Sequence, residues 1–596
     1  MKHERIIILD FGGQYAHLIA SRIRRLGVLA EIMSPDDSNL ISRASENLTK
    51  GIIFSGGPQS VFAENSLETD PEIFNIGKPL LGICYGHQYL AHKLGGKVAP
   101  GTTGEFGAAK LKIRGNSPLF KDVNKESIVW MNHVDAVGDF APGFENIGET
   151  PHCATAAAWN PAKNFYSVQF HLEVSHTEFG NQILTNFLEI CECKFSWNME
   201  QFLEEQKAKL REKIGDKNVF LFVSGGVDST VTFAFLNKII GPERVKGLFV
   251  DTGLMRENEV AQVEKSLREI GTDLTTLRSA DVFLKNLAGI TDPEEKRTII
   301  GHTFLQVQQE FFSHEKLDDK WLLAQGTIYP DTVESGGTKN ADKIKTHHNR
   351  APEVQKLIDA GLVIEPVADL YKDEVRILGE LLGLPHELVW RHPFPGPGLG
   401  VRILCSDTES HEILADGESG KYTKLPIKSV GVQGDFRTYK HPGIMHTDEK
   451  DIEKLETLAT KFINEYSEIN RCIVQLGKNF DGEIRGISLH KTDTSIGRVE
   501  ILQRADAIVT KLLRESGEYE TVWQFPVVLM PVSFNDTGKE SVILRPVDSI
   551  DAMSASVGKL PFELLEKMAE EILKSREISA VFLDCTSKPP GTIEWE

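Results

Sequence analysis

Two glycine-framed loops, each behind a short apolar run, constrain this chain more than any other feature. The first is Gly82-Ile83-Cys84-Tyr85-Gly86, behind Pro79-Leu80-Leu81. The second is Ser224-Gly225-Gly226-Val227-Asp228-Ser229, behind Val219-Phe220-Leu221-Phe222-Val223. A strand that turns through glycines into a helix is the recurring unit of parallel α/β sheets, so two distant copies predict two sheets. The first loop has the form of a nucleophile elbow and the second that of a phosphate cradle. One polypeptide is thus expected to release a small nucleophile at one site and to spend a nucleoside triphosphate at another.

Residues 1–192 alternate β-type runs (Ile6 to Leu9, Gly51 to Phe54, Pro79 to Leu81) with amphipathic stretches (Tyr15 to Leu26, His87 to Leu94). Ser196 to Lys213 reads as a charged connector helix. A second βα series occupies 196–398, with runs at Lys246 to Asp251 and Trp321 to Ala324. It closes at Arg391-His392-Pro393-Phe394-Pro395-Gly396-Pro397-Gly398, where proline and glycine stop any helix. Residues 399–596 carry longer β-type runs (Glu540 to Pro546, Ala580 to Asp584) and helical patterns (Asp451 to Ile469, Pro561 to Lys574). The expected class is α/β: two successive parallel-sheet α/β domains followed by a smaller α+β C-terminal domain.

Charge narrows the partners. Lys+Arg number 66 against 86 Asp+Glu, a net charge of −20, which argues against a broad nucleic-acid or anionic-membrane surface. The opening apolar run, Ile6 to Leu9, is too short for a signal peptide core. No uncharged apolar stretch reaches the roughly 18 residues that span a bilayer. Seven cysteines, sparse and odd in number, suit a reducing compartment. A soluble cytoplasmic protein with no nucleic-acid and no membrane partner is expected.

Cys84 between two glycines sits where a strand meets a helix N-terminus, which favours a thiolate nucleophile. His171-Leu172-Glu173 supplies a base and its orienter, because residues i and i+2 of an extended segment point the same way. Ser55-Gly56-Gly57-Pro58 offers the Gly57 amide, and Tyr85 offers the other, for an oxyanion hole. Cys191-Glu192-Cys193 lacks zinc-ligand spacing.

The second loop lacks the Walker lysine, so the γ-phosphoryl is not expected to be the group transferred. Gly225, Gly226 and Val227 present backbone amides, and Ser224, Ser229 and Thr230 add hydroxyls at a helix N-terminus, an arrangement that binds an anion. Asp228 beside phosphates requires an intervening cation, which implies Mg²⁺ with ATP. Val250 and Gly253, at the end of the next strand, suit adenosine contacts.

These strings resemble the glutamine-hydrolysing GMP synthetase family over essentially the whole length. The first segment is similar to class I glutamine amidotransferases at Gly-Ile-Cys-Tyr-Gly-His-Gln (82–88) and Gln-Phe-His-Leu-Glu-Val (169–174). The second is similar to N-type ATP-pyrophosphatases at 224–229, Gln-Gly-Thr-Ile-Tyr-Pro-Asp (325–331), Ile-Lys-Thr-His-His-Asn (344–349) and Arg-His-Pro-Phe-Pro-Gly-Pro-Gly-Leu (391–399). The third resembles the family's dimerisation and substrate-closing domain, at 431–439 and 587–596. The resemblance implies amination of xanthosine 5′-monophosphate (XMP) to GMP through an adenylyl-XMP intermediate, releasing AMP and pyrophosphate. It implies Lys345, His347 and Asp331 near the ATP phosphates, and Arg297, Pro397, Gly398, Gln433, Lys588 and Glu594 around XMP.

Two departures stand out. Leu172 replaces the proline usual between the histidine and glutamate, which is expected to loosen the triad. The stretch from Leu404 to Lys428 reads as an insertion of the longer forms, so monomer and homodimer both remain open. The alternatives are another pyrophosphatase that modifies tRNA, and a non-catalytic amidotransferase-like binding protein.

Overall fold

The computed structural model describes residues 3–13, 15–63, 66–99, 104–174, 176–272, 274–314, 320–331, 357, 360–413, 422–433, 436–477, 484–535, 537–549 and 555–596. The chain divides into two compact units, Met1–Lys209 with Tyr329–Asp342, and Leu210–Ile328 with Lys343–Glu596.

The first unit is built on a nine-stranded sheet. Its order is Leu29–Met33, Arg5–Leu9, Thr49–Phe54, Leu80–Ile83, Phe165–Val168, Ala157–Asn160, Glu145–Glu149, Glu105–Ile113 and Glu126–His133. The first five strands pair in parallel. The other four continue the sheet antiparallel. Ile6, Ile7, Ile8 and Leu9 are all fully buried, which explains why this strand reads as an unbroken apolar run: a strand covered on both faces has no solvent side to mark with polar residues. The elbow lies at the end of Leu80–Ile83, inside the parallel half. The antiparallel half, which the βα alternation did not announce, supplies the segment from Trp130 to Asp135 beside it.

The second unit opens on five parallel strands in the order Leu274–Arg278, Val245–Asp251, Asn218–Phe222, Trp321–Ala324 and Val363–Ile364. The phosphate loop joins the central strand to helix Val227–Ile240. A mixed seven-stranded sheet follows, with Ile469–Leu476, Ile578–Asp584 and Glu540–Leu544 at its middle, beside a three-stranded sheet. One apolar cluster runs from Val250 and Leu254 through Leu399 and Ile403 to Leu544 and Leu583, so both halves of this unit share a core. The helix expected over Asp451 to Ile469 is Ile452–Glu465, because Ile469 already opens a central strand. Asp451 caps it, accepting from Glu453 and Lys454 amides at 3.0 and 3.2 Å. Among the described residues no helix is long and apolar enough to cross a membrane.

Candidate active site

Cys84 has φ +53° and ψ −104° and caps helix Tyr85–Lys93. A non-glycine residue in that region is strained and persists only where its surroundings fix it. The flanking glycines show how. A methyl on Gly82 would lie 2.5 Å from the Gly86 carbonyl oxygen, and one on Gly86 would lie 2.3 Å from that of Phe54. The turn therefore closes only without side chains at both positions. The Gly86 amide donates to the Ser55 carbonyl at 3.0 Å, tying the elbow to the loop that holds Gly56 and Gly57.

That loop adjoins the nucleophile. A methyl on Gly56 would touch His171 Cε1 at 3.5 Å and Cys84 Cβ at 3.8 Å, and one on Gly57 would meet the Tyr85 ring at 3.1 Å. Gly56 thus stands beside Cys84 and His171, and Gly57 against Tyr85. Among the described residues neither the Gly57 nor the Tyr85 amide donates to a backbone carbonyl, which leaves both for an oxyanion.

His171 Nδ1 and Glu173 Oε1 are 2.6 Å apart, with both side chains buried. Nδ1 is therefore the protonated, donating nitrogen. Nε2 is buried without a hydrogen-bond partner of its own. Burial of the ring disfavours its charge, yet the Glu173 carboxylate and the Cys84 sulfur outweigh this and hold the imidazole well above its ordinary range. Such a ring stabilises a thiolate beside it. The loosening expected from Leu172 is not seen: its side chain is fully buried, and the bond it spans is short.

Three further groups reach the sulfur or its neighbours. The Gln169 amide lies 3.8 Å from Sγ, and Sγ lies 3.6 Å from the Asn132 carbonyl. Gln88 Nε2 donates to Gln169 Oε1 at 3.2 Å and to the Asp135 carbonyl at 2.7 Å. Sequence spacing contained two of these signals: Gln88 is four residues past Cys84 on its helix, and Gln169 is two before His171 on an extended segment.

In the second unit Gly226 caps helix Val227–Ile240, and Gly225 takes φ +76°. Ser229 Oγ accepts from the Ser224 amide at 3.1 Å, and the two hydroxyls lie 3.1 Å apart. A methyl on Gly326 would fall 3.0 Å from the Ser229 nitrogen, so the segment after Trp321–Ala324 passes directly over the loop. Asp228 Oδ1 is buried without a partner, an acceptor that suits a hard divalent cation. Its Oδ2 lies 3.6 Å from Lys372 Nζ. Lys372 was missed from sequence, where 144 residues separate it from the loop and no local period connects them. Val250 and Gly253 stand at the end of the neighbouring strand, Gly253 at φ +74°. Lys345 and His347 lie outside the described residues; Asp331 is partly buried and groups with the first unit, not with the phosphate loop.

The positions that the resemblance places around XMP all lie in this unit. A methyl on Gly398 would meet the Leu254 carbonyl oxygen at 2.3 Å, and the Leu399 amide donates to the same carbonyl at 2.7 Å. Pro397 and Gly398 are thereby pressed onto the segment that follows Gly253. Arg297 Nη2 donates to the Glu596 carbonyl. Glu594 is gripped by Arg402, whose Nε and Nη2 donate to its two oxygens at 3.0 and 2.9 Å. The Val432 amide donates to the Pro590 carbonyl at 2.7 Å, setting the end of strand Ser429–Gln433 beside the segment that carries Lys588. Lys588 itself pairs with Ala555 through the backbone, amide to carbonyl, at 2.7 Å. The side chain of Gln433 is outside the described part.

The chain is similar to known proteins over its full length. The family Glutamine amidotransferase class-I matches residues 7–191, and the family GMP synthase C terminal domain matches residues 511–595. A protein of Leptospira interrogans named a probable glutamine-hydrolyzing GMP synthase is 45% identical over 611 residues, covering 100% of both chains. The glutamine-hydrolyzing GMP synthase of Caldicellulosiruptor saccharolyticus is 39% identical over 100% of each chain. That of Aquifex aeolicus is 37% identical, again over 100% of each.

Proposed function

The chain belongs to the glutamine-hydrolysing GMP synthase family, and from that premise we propose how its residues perform glutamine-dependent synthesis of GMP. Residues 1–192 are the glutaminase, 196–398 the adenylylating segment, and 399–596 the segment that completes the XMP site. The observation that carries this reading is the buried Cys84–His171–Glu173 set, in one chain with a Ser224–Ser229 cradle that has no Walker lysine.

At the first site the Cys84 thiolate attacks the side-chain amide carbon of glutamine. The oxyanion that forms lies between the Gly57 and Tyr85 amides, donors worth several kcal/mol in such a position. The C–N bond breaks as His171 gives its proton to the leaving ammonia. A water, losing its proton to His171, then clears the thioester and releases glutamate. Glu173 keeps the imidazole in the tautomer that puts Nε2 toward sulfur.

At the second site the Ser224–Ser229 loop binds the phosphates of ATP through its amides and hydroxyls. Asp228 would hold Mg²⁺, whose part is to offset phosphate charge. The O2 oxygen of XMP attacks the α-phosphorus, pyrophosphate leaves, and AMP becomes the leaving group that ammonia displaces from C2. Arg297 and Lys588 supply positive charge for the XMP phosphate, while Pro397, Gly398, Gln433 and Glu594 surround its base. The seven unpaired cysteines support a cytoplasmic setting.

The test is a single incubation with XMP, Mg-ATP and glutamine, following GMP, AMP and pyrophosphate together. Equal yields of the three are expected. ADP and phosphate in their place would overturn the reading of the Ser224 loop.

A further inference from the structure

Arg402 is fully buried, yet lies outside every motif assigned a function above. Its guanidinium forms a two-pronged bond with Glu594, Nε to Oε2 at 3.0 Å and Nη2 to Oε1 at 2.9 Å. Planar forks of this kind fix orientation as well as charge. On its other side the guanidinium lies 5.3 Å from the centre of the Phe394 ring, so it has little freedom to rotate. Gln524 flanks the carboxylate instead: Nε2 donates to the Pro393 carbonyl at 2.9 Å and approaches Glu594 Oε1 at 3.5 Å, while Arg402 Nη1 is buried with no hydrogen-bond partner. Glu594 keeps 18% of its side-chain surface open, whereas Arg402 keeps none.

Three consequences follow from the chemistry. An ionised carboxylate gripped by a guanidinium fork acts only as an acceptor. Its outward lone pairs remain available, and an acceptor so placed recognises ring N–H groups. The same fork ties the segment 589–596 to the loop 393–402, which carries Pro397 and Gly398. Burial disfavours the charge on Arg402, but Glu594 more than compensates and holds the guanidinium above its usual value.

We propose that Arg402 is a positioning residue for the purine site: it sets the carboxylate of Glu594 to accept an N–H of the xanthine ring, and acts on substrate only through Glu594. The proposal rests on the XMP reading above and adds to it a residue and a route. Arg402→Lys keeps the charge and removes the fork.

The experiment is a double-mutant cycle on the full chain, reading KM for XMP, KM for ATP and kcat in Arg402→Lys, Glu594→Ala and the double variant. We expect Arg402→Lys to raise KM for XMP about tenfold, the scale of one lost charge-assisted hydrogen bond, with KM for ATP unchanged. In the Glu594→Ala background the same substitution is expected to change KM for XMP less than twofold, the signature of residues acting as one. Gln524→Ala, a milder change at the same contact, should shift KM for XMP in the same direction, and it serves where Arg402→Lys fails to fold. Additive effects on KM for XMP overturn the proposal, as does a rise in KM for ATP equal to that for XMP. So does Gln524→Ala without effect where Arg402→Lys cannot be measured. Failure of the XMP reading has a different mark: wild-type protein that makes no GMP from XMP.

Discussion

Gly86→Ala is the sharpest test of the elbow. The added methyl would sit 2.3 Å from the Phe54 carbonyl oxygen and 2.8 Å from the Phe54 carbonyl carbon. Ordinary contact begins at about 3.5 Å, so the turn must retreat from strand Thr49–Phe54 by about 1 Å. Phe54 is fully buried in a parallel strand and cannot retreat instead. Retreat also stretches the Gly86 bond to the Ser55 carbonyl, now 3.0 Å, and carries Cys84 away from His171 and Gly56. Overpacking of this kind costs about 1–3 kcal/mol of stability. A nucleophile misplaced by about 1 Å loses roughly 10²-fold in rate. We therefore expect glutamine-dependent GMP formation to fall about 100-fold while the ammonia-dependent rate stays within about twofold, since the second unit is untouched. Gly138→Ala is the control, because its methyl would meet nothing closer than 3.8 Å. Steady-state rates with glutamine and with ammonium chloride decide the matter, beside thermal unfolding. Full glutamine-dependent activity in Gly86→Ala would refute the claim that this close approach positions the nucleophile.

Cys84→Ala is expected to abolish the glutamine-dependent reaction and preserve the ammonia-dependent one; loss of both would contradict a separate source of ammonia. Asp228→Asn should depress both routes, and undiminished synthesis from ammonia would remove Asp228 from the metal–ATP role. Burial pushes the His87 imidazole down to about 3 and that of His392 down to about 4. Groups depressed below the ordinary value of about 6.5 stabilise the fold above that pH and lose the contribution as pH falls through the window toward 3–4. For His392 the loss is on the order of 3 kcal/mol. Urea unfolding of His392→Gln should be less acid-sensitive between about pH 6.5 and 4; an unchanged slope would count against it.

What the sequence revealed divides along a physical line. The elbow and the phosphate loop were legible because each demands an unusual backbone over a few consecutive residues. Gly82, Gly86, Gly225 and Gly226 are therefore written into the chain at fixed spacing. His171 and Glu173 were legible for a related reason, since alternate residues of an extended segment share a face. The antiparallel half of the first sheet left no such mark, because its strands follow one another without the helices that make βα alternation visible.

Charge pairs across long separations leave no local trace at all. Arg402 and Glu594 are 192 residues apart, and Lys372 meets Asp228 only once strands and helices have been stacked. In sequence Arg402 is one more polar residue after a glycine turn, and Lys372 one more charge at the start of a helix. Yet Lys372 sits at the N-terminal end of Lys372–Leu381, where the helix dipole disfavours a cation. Arg402 is buried where an unpaired charge would cost several kcal/mol. Both are locally unfavourable and both are compensated by a distant carboxylate. The elbow shows the same trade in another form, with Cys84 held at φ +53° by glycines on either side. In each case a residue is set against its local preference and contacts elsewhere hold it there. That conflict can be searched for in a sequence only when the compensation is local, as it is for Cys84. For Lys372 and Arg402 the compensating partner had to be seen in three dimensions.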